Sequence, residues 1–244
     1  MDGMDLLVLD ADDTLWESSR FFERAEEDFL SLAVSLGHDF DSVRNEIHMR
    51  DIQRLSVTGY GARPYIDTLW SILGELCGPV DGWAGRSFSD IEAGLLNHPV
   101  LLYEGTLETL RSVSLMDFPV VVYTAGERTH QEDKFLRSGL SEYVNALRVV
   151  PVKTRDTLMA LLEDYSASPE RTILVGDSPR SDINPALESG VNAVHIRRRN
   201  VWQAEREQFV HPERVTVIDS LTELLSIIEQ PQDYFMVGTA DRLS

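Results

Sequence analysis

Apolar runs that end abruptly on acidic or hydroxyl-bearing residues recur along this chain. Leu6-Leu7-Val8-Leu9 runs into Asp10, Val120-Val121-Val122-Tyr123 into Thr124, and Ile173-Leu174-Val175-Gly176 into Asp177. Continuous rather than alternating apolar character over such short runs predicts strands covered on both faces. Helix-type stretches follow the second and third runs, over Glu127–Arg137 and Pro179–Ser189. Further strands are predicted at Ala146–Val150, Val191–Ile196 and Val215–Ile218, with helices at Thr154–Tyr165, at Leu221–Glu229 and from about Thr106. Strands alternating with helices predict an α/β fold built on a parallel sheet. Ligands of such sheets bind beyond the carboxyl ends of the strands, near a topological switch point. Asp10, Thr124 and Asp177 all fall at those ends.

Residues 17–100 follow a different rhythm. Over Glu17–Leu36 the apolar positions Phe21, Phe22, Ala25, Phe29, Leu32, Ala33 and Leu36 keep close to a helical period, and Gly37 supplies a stop. Helices are also predicted at Asp39–Asp51, Arg63–Leu76 and Ser87–Leu96, separated by Gly59-Tyr60-Gly61, Gly78-Pro79 and Asn97-His98-Pro99. No strand-like run interrupts them. The prediction is therefore a Rossmann-like parallel sheet with helices on both faces, formed by residues 1–16 and 101–244, plus an inserted all-helical domain over 17–100. Phe21, Phe22 and Phe29 are expected to form the core of that insert.

Composition narrows the function. With 244 residues, 43% of them hydrophobic and 26% charged, the chain is ordinary for a globular protein. Its apolar runs fall far short of the roughly 20 residues a bilayer span requires, and its acidic start lacks the basic region of a secretory signal. Cys77 is the single cysteine, which fits a reducing compartment and leads us to expect a cytoplasmic protein. A net charge of −19 argues against nucleic-acid and anionic-membrane partners. The one basic cluster, Arg197-Arg198-Arg199, reads as a solvated loop after a strand. The six histidines show no metal-ligand spacing, so zinc is not expected.

The chemistry concentrates where the apolar runs stop. Asp10, Asp12 and Asp13 crowd three carboxylates at the end of a buried strand, which is unfavourable unless a cation neutralises them or a proton stays on. Asp10 can serve as metal ligand, as nucleophile or as both. Asp12 can protonate a leaving oxygen and later deprotonate a water. Asp177 and Asp182 add acids suited to a hard, oxygen-liganded Mg²⁺. An acidic protein that binds an anion needs local positive charge. The Thr124 hydroxyl with the neighbouring Ala125 amide, and the Lys153 ammonium, can supply it. Lys134, the only other lysine, is expected on the exposed face of its helix, and Glu127 and Arg128 at that helix's start.

Together, Asp10-Ala11-Asp12-Asp13-Thr14, Thr124, Lys153 and Gly176-Asp177-Ser178-Pro179-Arg180-Ser181-Asp182 strongly resemble the four ordered motifs of the haloacid dehalogenase (HAD) superfamily. The core resemblance spans residues 1–16 and about 100–230, and the helical insert looks like the family's C1 cap. The resemblance implies Asp10 as the nucleophile that forms an aspartyl-phosphate and Asp12 as general acid and base. It implies Thr124 and Lys153 as phosphoryl-binding residues. It further implies Mg²⁺ held by Asp10, the Asp12 carbonyl and Asp177, with Asp182 as a ligand or beside one. Asp13 departs from the glycine the family often carries and reads as structural. Because a halide leaves without a proton and an alkoxide does not, Asp12 favours a phosphatase over a dehalogenase.

The expected activity is Mg²⁺-dependent hydrolysis of a small phosphorylated metabolite. A phosphotransferase or mutase, a dehalogenase, a phosphorylation switch and a binding protein are the alternatives. Receiver-type switches are about half as long, lack the insert, and carry their acidic pair and phosphorylated Asp on different strands. Trp16, Tyr60 and Arg63 are the candidates for substrate selection. The substrate's identity, monomer or homodimer state, and the role of Gln230–Ser244 as tail or docking segment stay open at this level.

Overall fold

The computed structural model describes residues 3–58 (backbone alone over 55–58), 61–80, 82–198 and 207–235. The chain divides into two compact units, Met1–Glu17 with Val100–Ser244, and Ser18–Pro99. In chain order, β1 (Leu6–Leu9) is followed by α1 (Ser19–Ser35), α2 (Phe40–Thr58), α3 (Ala62–Cys77) and α4 (Gly82–Leu96). Then come α5 (Thr106–Val113), β2 (Val120–Ala125), α6 (Arg128–Ser138), β3 (Ala146–Val150), α7 (Arg155–Asp164) and β4 (Thr172–Gly176). A single π-helical turn (Pro179–Ile183) runs into α8 (Asn184–Glu188), and β5 (Asn192–Ile196), β6 (Val215–Ile218), α9 (Leu224–Glu229) and α10 (Pro231–Phe235) complete the described chain.

All six strands are parallel, in the order β3-β2-β1-β4-β5-β6. The chain builds outward from β1 through β2 to β3, then crosses back to lay β4 against the other side of β1. That reversal opens a crevice at the carboxyl ends of β1 and β4, the place where open α/β sheets bind ligands. The pleat sorts the apolar runs onto two faces. Leu7, Leu9, Val120, Val122, Ile173 and Val175 pack against Leu110 and Val113 of α5, Phe135 of α6, and Leu224 and Ile227 of α9. Leu6, Val8, Val121, Tyr123 and Leu174 face the opposite way, onto Leu158, Leu161 and Leu162 of α7 and Ala186 and Leu187 of α8. Both faces are thus covered by helices, which is why the strands carry unbroken rather than alternating hydrophobicity.

The Ser18–Pro99 unit contains no strand among its described residues. Its core takes Ala25, Phe29, Leu32 and Ala33 from α1, Val43 and Ile47 from α2, Ile66, Leu69 and Leu73 from α3, and Phe88 and Ile91 from α4. Phe29 meets Phe88 edge-to-face with ring centroids 6.2 Å apart, and Phe21 and Phe22 pack at the border of the same core. Two of its helices run longer than their hydrophobic periodicity predicts: α2 continues to Thr58 and α4 starts at Gly82. The added turns, Gly82-Trp83-Ala84-Gly85-Arg86 in α4 and residues 52–58 in α2, do not repeat the spacing of the apolar stripe from which the shorter helices are read. No helix among the described residues is long and apolar enough to cross a membrane.

Leu7 lies at the centre of the sheet and is fully buried. Leu7→Ala is expected to cost about 2–5 kcal/mol through lost burial and a residual cavity, measured as a lower midpoint of urea unfolding.

Candidate active site

The end of β1 is anchored to β4 where the Asp10 amide donates to the Val175 carbonyl at 2.9 Å. Because Leu9 pairs with Val175, Asp10 and Asp177 leave adjacent strands almost level with each other. Asp182 reaches the same place through the π-turn. Its amide and that of Ile183 both donate to the Ser178 carbonyl (3.0 and 3.1 Å), and the Ser178 amide donates to Asp182 Oδ2 at 3.1 Å. The Asp182 carboxylate fills the space where Gly176 would carry a Cβ. A side chain at position 176 would collide with it, so glycine here answers a need for close approach.

One cation stands among these acids. Lys153 donates through Nζ to Asp10 Oδ1, and to Asp182 Oδ1 at 2.6 Å, and is itself buried. Burial works against its charge, but Asp10 and Asp182 together hold its pKa well above the usual lysine range. Burial pushes the Asp10 carboxyl up despite Lys153, and raises Asp177 strongly, with repulsion from Asp10, Asp182 and Asp13 adding to it. Asp182 is pushed up to about 7, first by burial and then by Asp10, against the pull of Lys153.

Oxygen atoms of Asp10, Asp177 and Asp182 lie within 4.8 Å of one another. Asp10 Oδ2 is buried without a hydrogen-bond partner. Three carboxylates sharing one ammonium, two of them buried and Asp177 half-buried, leave excess negative charge, and an all-oxygen donor set with an orphaned carboxylate oxygen fits a hard divalent cation.

Thr124 and Ala125 end β2, beside β1, and Thr124 is buried with only a long 3.4 Å hydrogen bond from its hydroxyl to the Ala125 carbonyl. The structure thus gathers Asp10, Asp177, Asp182 and Lys153 into one contact network and sets Thr124 and Ala125 on the neighbouring strand end. Asp12 is engaged elsewhere. Lys134 donates to both its carboxylate oxygens (2.5 and 2.7 Å), Gln131 Nε2 to Oδ2 (2.8 Å) and Trp16 Nε1 to Oδ1 (2.7 Å). Burial would raise this carboxyl, but the Lys134 ammonium and the Gln131 and Trp16 donors hold it far below the usual range.

Three expectations change here. Lys134 is not on the exposed face of α6 but 2% exposed, because its ammonium is turned inward onto Asp12. Trp16 is wholly buried in the sheet core with its indole N–H bound to Asp12, so it offers no surface to a substrate. Arg197 is exposed as expected, but Arg198 is half-buried. It donates from Nε to the Asp13 carbonyl (2.6 Å) and from a terminal nitrogen to the Thr14 carbonyl (2.9 Å), over the ring of Tyr103 at 3.6 Å. Arg63 is exposed in the first turn of α3, while Tyr60 and Arg199 lie outside the described residues.

Asp13 also gains an explanation. Its φ of +59° is left-handed, a conformation that glycine takes freely and Asp tolerates better than most. Tyr103 donates its hydroxyl to Asp13 Oδ1 at 3.2 Å, and the two Arg198 bonds fix the carbonyls that follow. Gln131, Lys134, Tyr103 and Arg198 are the residues sequence reasoning missed. For the first two a signal existed: Gln131, Lys134 and Phe135 share one inward face at helical spacing.

Buried carboxylates and a lysine at a switch point of a parallel sheet define an α/β enzyme whose ligand binds at the strand ends. A sequence model of haloacid dehalogenase-like hydrolases matches residues 4–190, and the chain belongs to that family. HAD hydrolases generally use a divalent metal, and this chain carries the acidic cluster for one. Glyceraldehyde 3-phosphate phosphatase of Methanocaldococcus jannaschii is 23% identical over 228 residues, covering 91% of this chain and 96% of that protein. Its counterpart from Methanopyrus kandleri is 24% identical over 233 residues, covering 92% and 97% respectively. Among solved structures, a haloacid dehalogenase-like family hydrolase from Xanthomonas campestris is 25% identical with a TM-score of 0.80, over 93% of this chain and 95% of that one.

The raised carboxyl pKa values make metal binding and stability depend on pH together. Asp182 has a folded value of about 7 against the ordinary 3.8, so the metal-free fold favours its protonated form. That stabilisation is full below about pH 4 and is lost as pH rises through about 7. A cation binds the deprotonated ligands and offsets the loss. The increase in melting temperature on adding a millimolar divalent cation is expected to be larger at pH 8 than at pH 5.

Proposed function

We propose that this hydrolase removes the phosphoryl group from a small phosphorylated metabolite through an aspartyl-phosphate on Asp10. The supporting observation is the meeting of Asp10, Asp177, Asp182 and Lys153 at the carboxyl ends of β1 and β4. In the proposed reaction a carboxylate oxygen of Asp10 attacks phosphorus while the ester P–O bond breaks. Asp12 gives its proton to the departing alkoxide. Water then attacks the same phosphorus, its proton passes to Asp12, and the aspartyl P–O bond breaks to release inorganic phosphate and free Asp10. Lys153, the Thr124 hydroxyl and the Ala125 amide hold the phosphoryl oxygens.

Asp10, the Asp12 backbone carbonyl and Asp177, with Asp182 as ligand or beside one, would hold Mg²⁺, for which the hard oxygen set is suited. When bound, the ion offsets negative charge on the phosphoryl oxygens and on the surrounding carboxylates. Lys134 and Gln131 favour the ionised Asp12 carboxylate in the structure described, so the acid step requires Asp12 to take up a proton once an ester is bound, with these donors still holding its place.

Relatives named glyceraldehyde 3-phosphate phosphatase, aligned over more than 90% of both chains, make that triose phosphate the first substrate to try. Substrate choice is assigned to the helical unit, Arg63 included. With one cysteine, Cys77, we place the protein in the reducing cytoplasm.

Asp10→Asn is expected to lower turnover of both 4-nitrophenyl phosphate and glyceraldehyde 3-phosphate by about 10³-fold or more. Phosphate release with and without Mg²⁺, at unchanged circular dichroism, measures it. Wild-type rates in that variant would overturn the mechanism. A panel of phosphorylated sugars, nucleotides and carboxylic acids ranks the substrate by kcat/KM.

A further inference from the structure

Two residues outside the four motifs grip Asp12, and both come from α6. Lys134 donates to both carboxylate oxygens, at 2.5 and 2.7 Å, and among the described residues it pairs with no other carboxylate. Burying an ammonium is unfavourable unless its partner requires it. Gln131 donates from the same Nε2 to Asp12 Oδ2 at 2.8 Å and to the Ala125 carbonyl at 2.9 Å. One amide nitrogen therefore spans the carboxylate after β1 and the backbone at the end of β2. The packing leaves little freedom: a Cβ on Gly126 would stand 3.0 Å from that nitrogen, and Gly126 itself has a φ of +136°.

A group that only balanced the charge of Asp12 would not need to reach Ala125. Gln131 makes both contacts and so ties Asp12 to the proposed phosphoryl loop, while Lys134, from the same helix, holds both oxygens of the carboxylate so tied. We propose that Gln131 and Lys134 are positioning residues that set the Asp12 carboxylate at a fixed place relative to the Thr124–Ala125 loop, so that proton transfer to the leaving oxygen depends on them. The proposal rests on the reading of Asp12 as the proton donor and extends it. Displacing a reacting group by about 1 Å can cost about 100-fold in rate, so the dependence is measurable.

The test uses leaving groups that differ in their need for a proton. 4-Nitrophenolate departs unaided, whereas the alkoxide of glycerol 3-phosphate or glyceraldehyde 3-phosphate must be protonated. Gln131→Met and Lys134→Met are each expected to lower kcat/KM for the alkyl phosphate at least about tenfold, and that for 4-nitrophenyl phosphate less than about threefold. In an Asp12→Asn background the same substitutions are expected to add no further loss on the alkyl phosphate, since they act through Asp12. Equal losses on both substrates, or losses that add to that of Asp12→Asn, would overturn the proposal in favour of a purely structural role.

Should Lys134→Met fail to fold, Gln131→Met, which removes no charge, and Lys134→Arg, which keeps it, carry the same comparison. Asp12→Asn alone separates the two layers. If it is selective for the alkyl phosphate while the Gln131 and Lys134 variants are not, only the positioning role falls. If Asp12→Asn affects both substrates equally, the proton-donor reading falls and the positioning role falls with it.

Discussion

Three carboxylates meeting in a buried place at the ends of β1 and β4 is the constraint from which the rest of the site follows. Taken alone, Asp10, Asp177 and Asp182 are costly to ionise together: burial raises all three carboxyl pKa values, and repulsion from Asp10 adds to it at Asp177 and Asp182. Lys153, which follows the edge strand β3, relieves part of that cost, and the remaining charge selects for a hard cation. The sheet order makes the meeting possible, because only at the reversal between β1 and β4 do two chains leave adjacent strands in diverging directions. An arrangement that is poor for stability alone is what an anionic reaction needs: charge held ready where the substrate binds.

Backbone choices around the acids serve the same end. The π-turn brings Asp182 back over Gly176, whose lack of a side chain leaves the room. On the other side, the left-handed turn at Asp13 redirects the chain after Asp12, and Arg198, supported on Tyr103, ties down the two carbonyls that follow. The strand end and the segment after β5 are thereby joined, although they are separated by most of the sequence. A loop so held needs no glycine at its turn, which accounts for the departure at position 13.

Much of this was legible in the residues. Unbroken apolar runs such as Val120-Val121-Val122 announce strands covered on both sides, and their abrupt polar ends mark the functional edge of the sheet. The spacing of Asp10, Thr124, Lys153 and Asp177 carries the family resemblance without any coordinates. What escaped was orientation. Lysine is so seldom buried that Lys134 reads as solvent-facing, and only its shared face with Gln131 and Phe135 hints otherwise. Arg198 lies in a triplet of arginines, and nothing local distinguishes the one that turns inward. Trp16 follows the motif closely, but proximity along the chain does not say which way an indole points. Each of these depends on partners more than a hundred residues away, or on the direction of one side chain, neither of which a periodicity encodes.

The two lysines have a wider consequence. Both ammonium groups are buried and paired with aspartates of the β1 loop, and every other permanently cationic side chain in the sequence is an arginine. The exterior of this protein therefore presents guanidinium groups and no lysine amine. Reagents and enzymes that acylate, alkylate or cross-link lysine find no side-chain target on the folded surface. Whatever lysine modification the chain undergoes becomes a record of the β1 loop having opened.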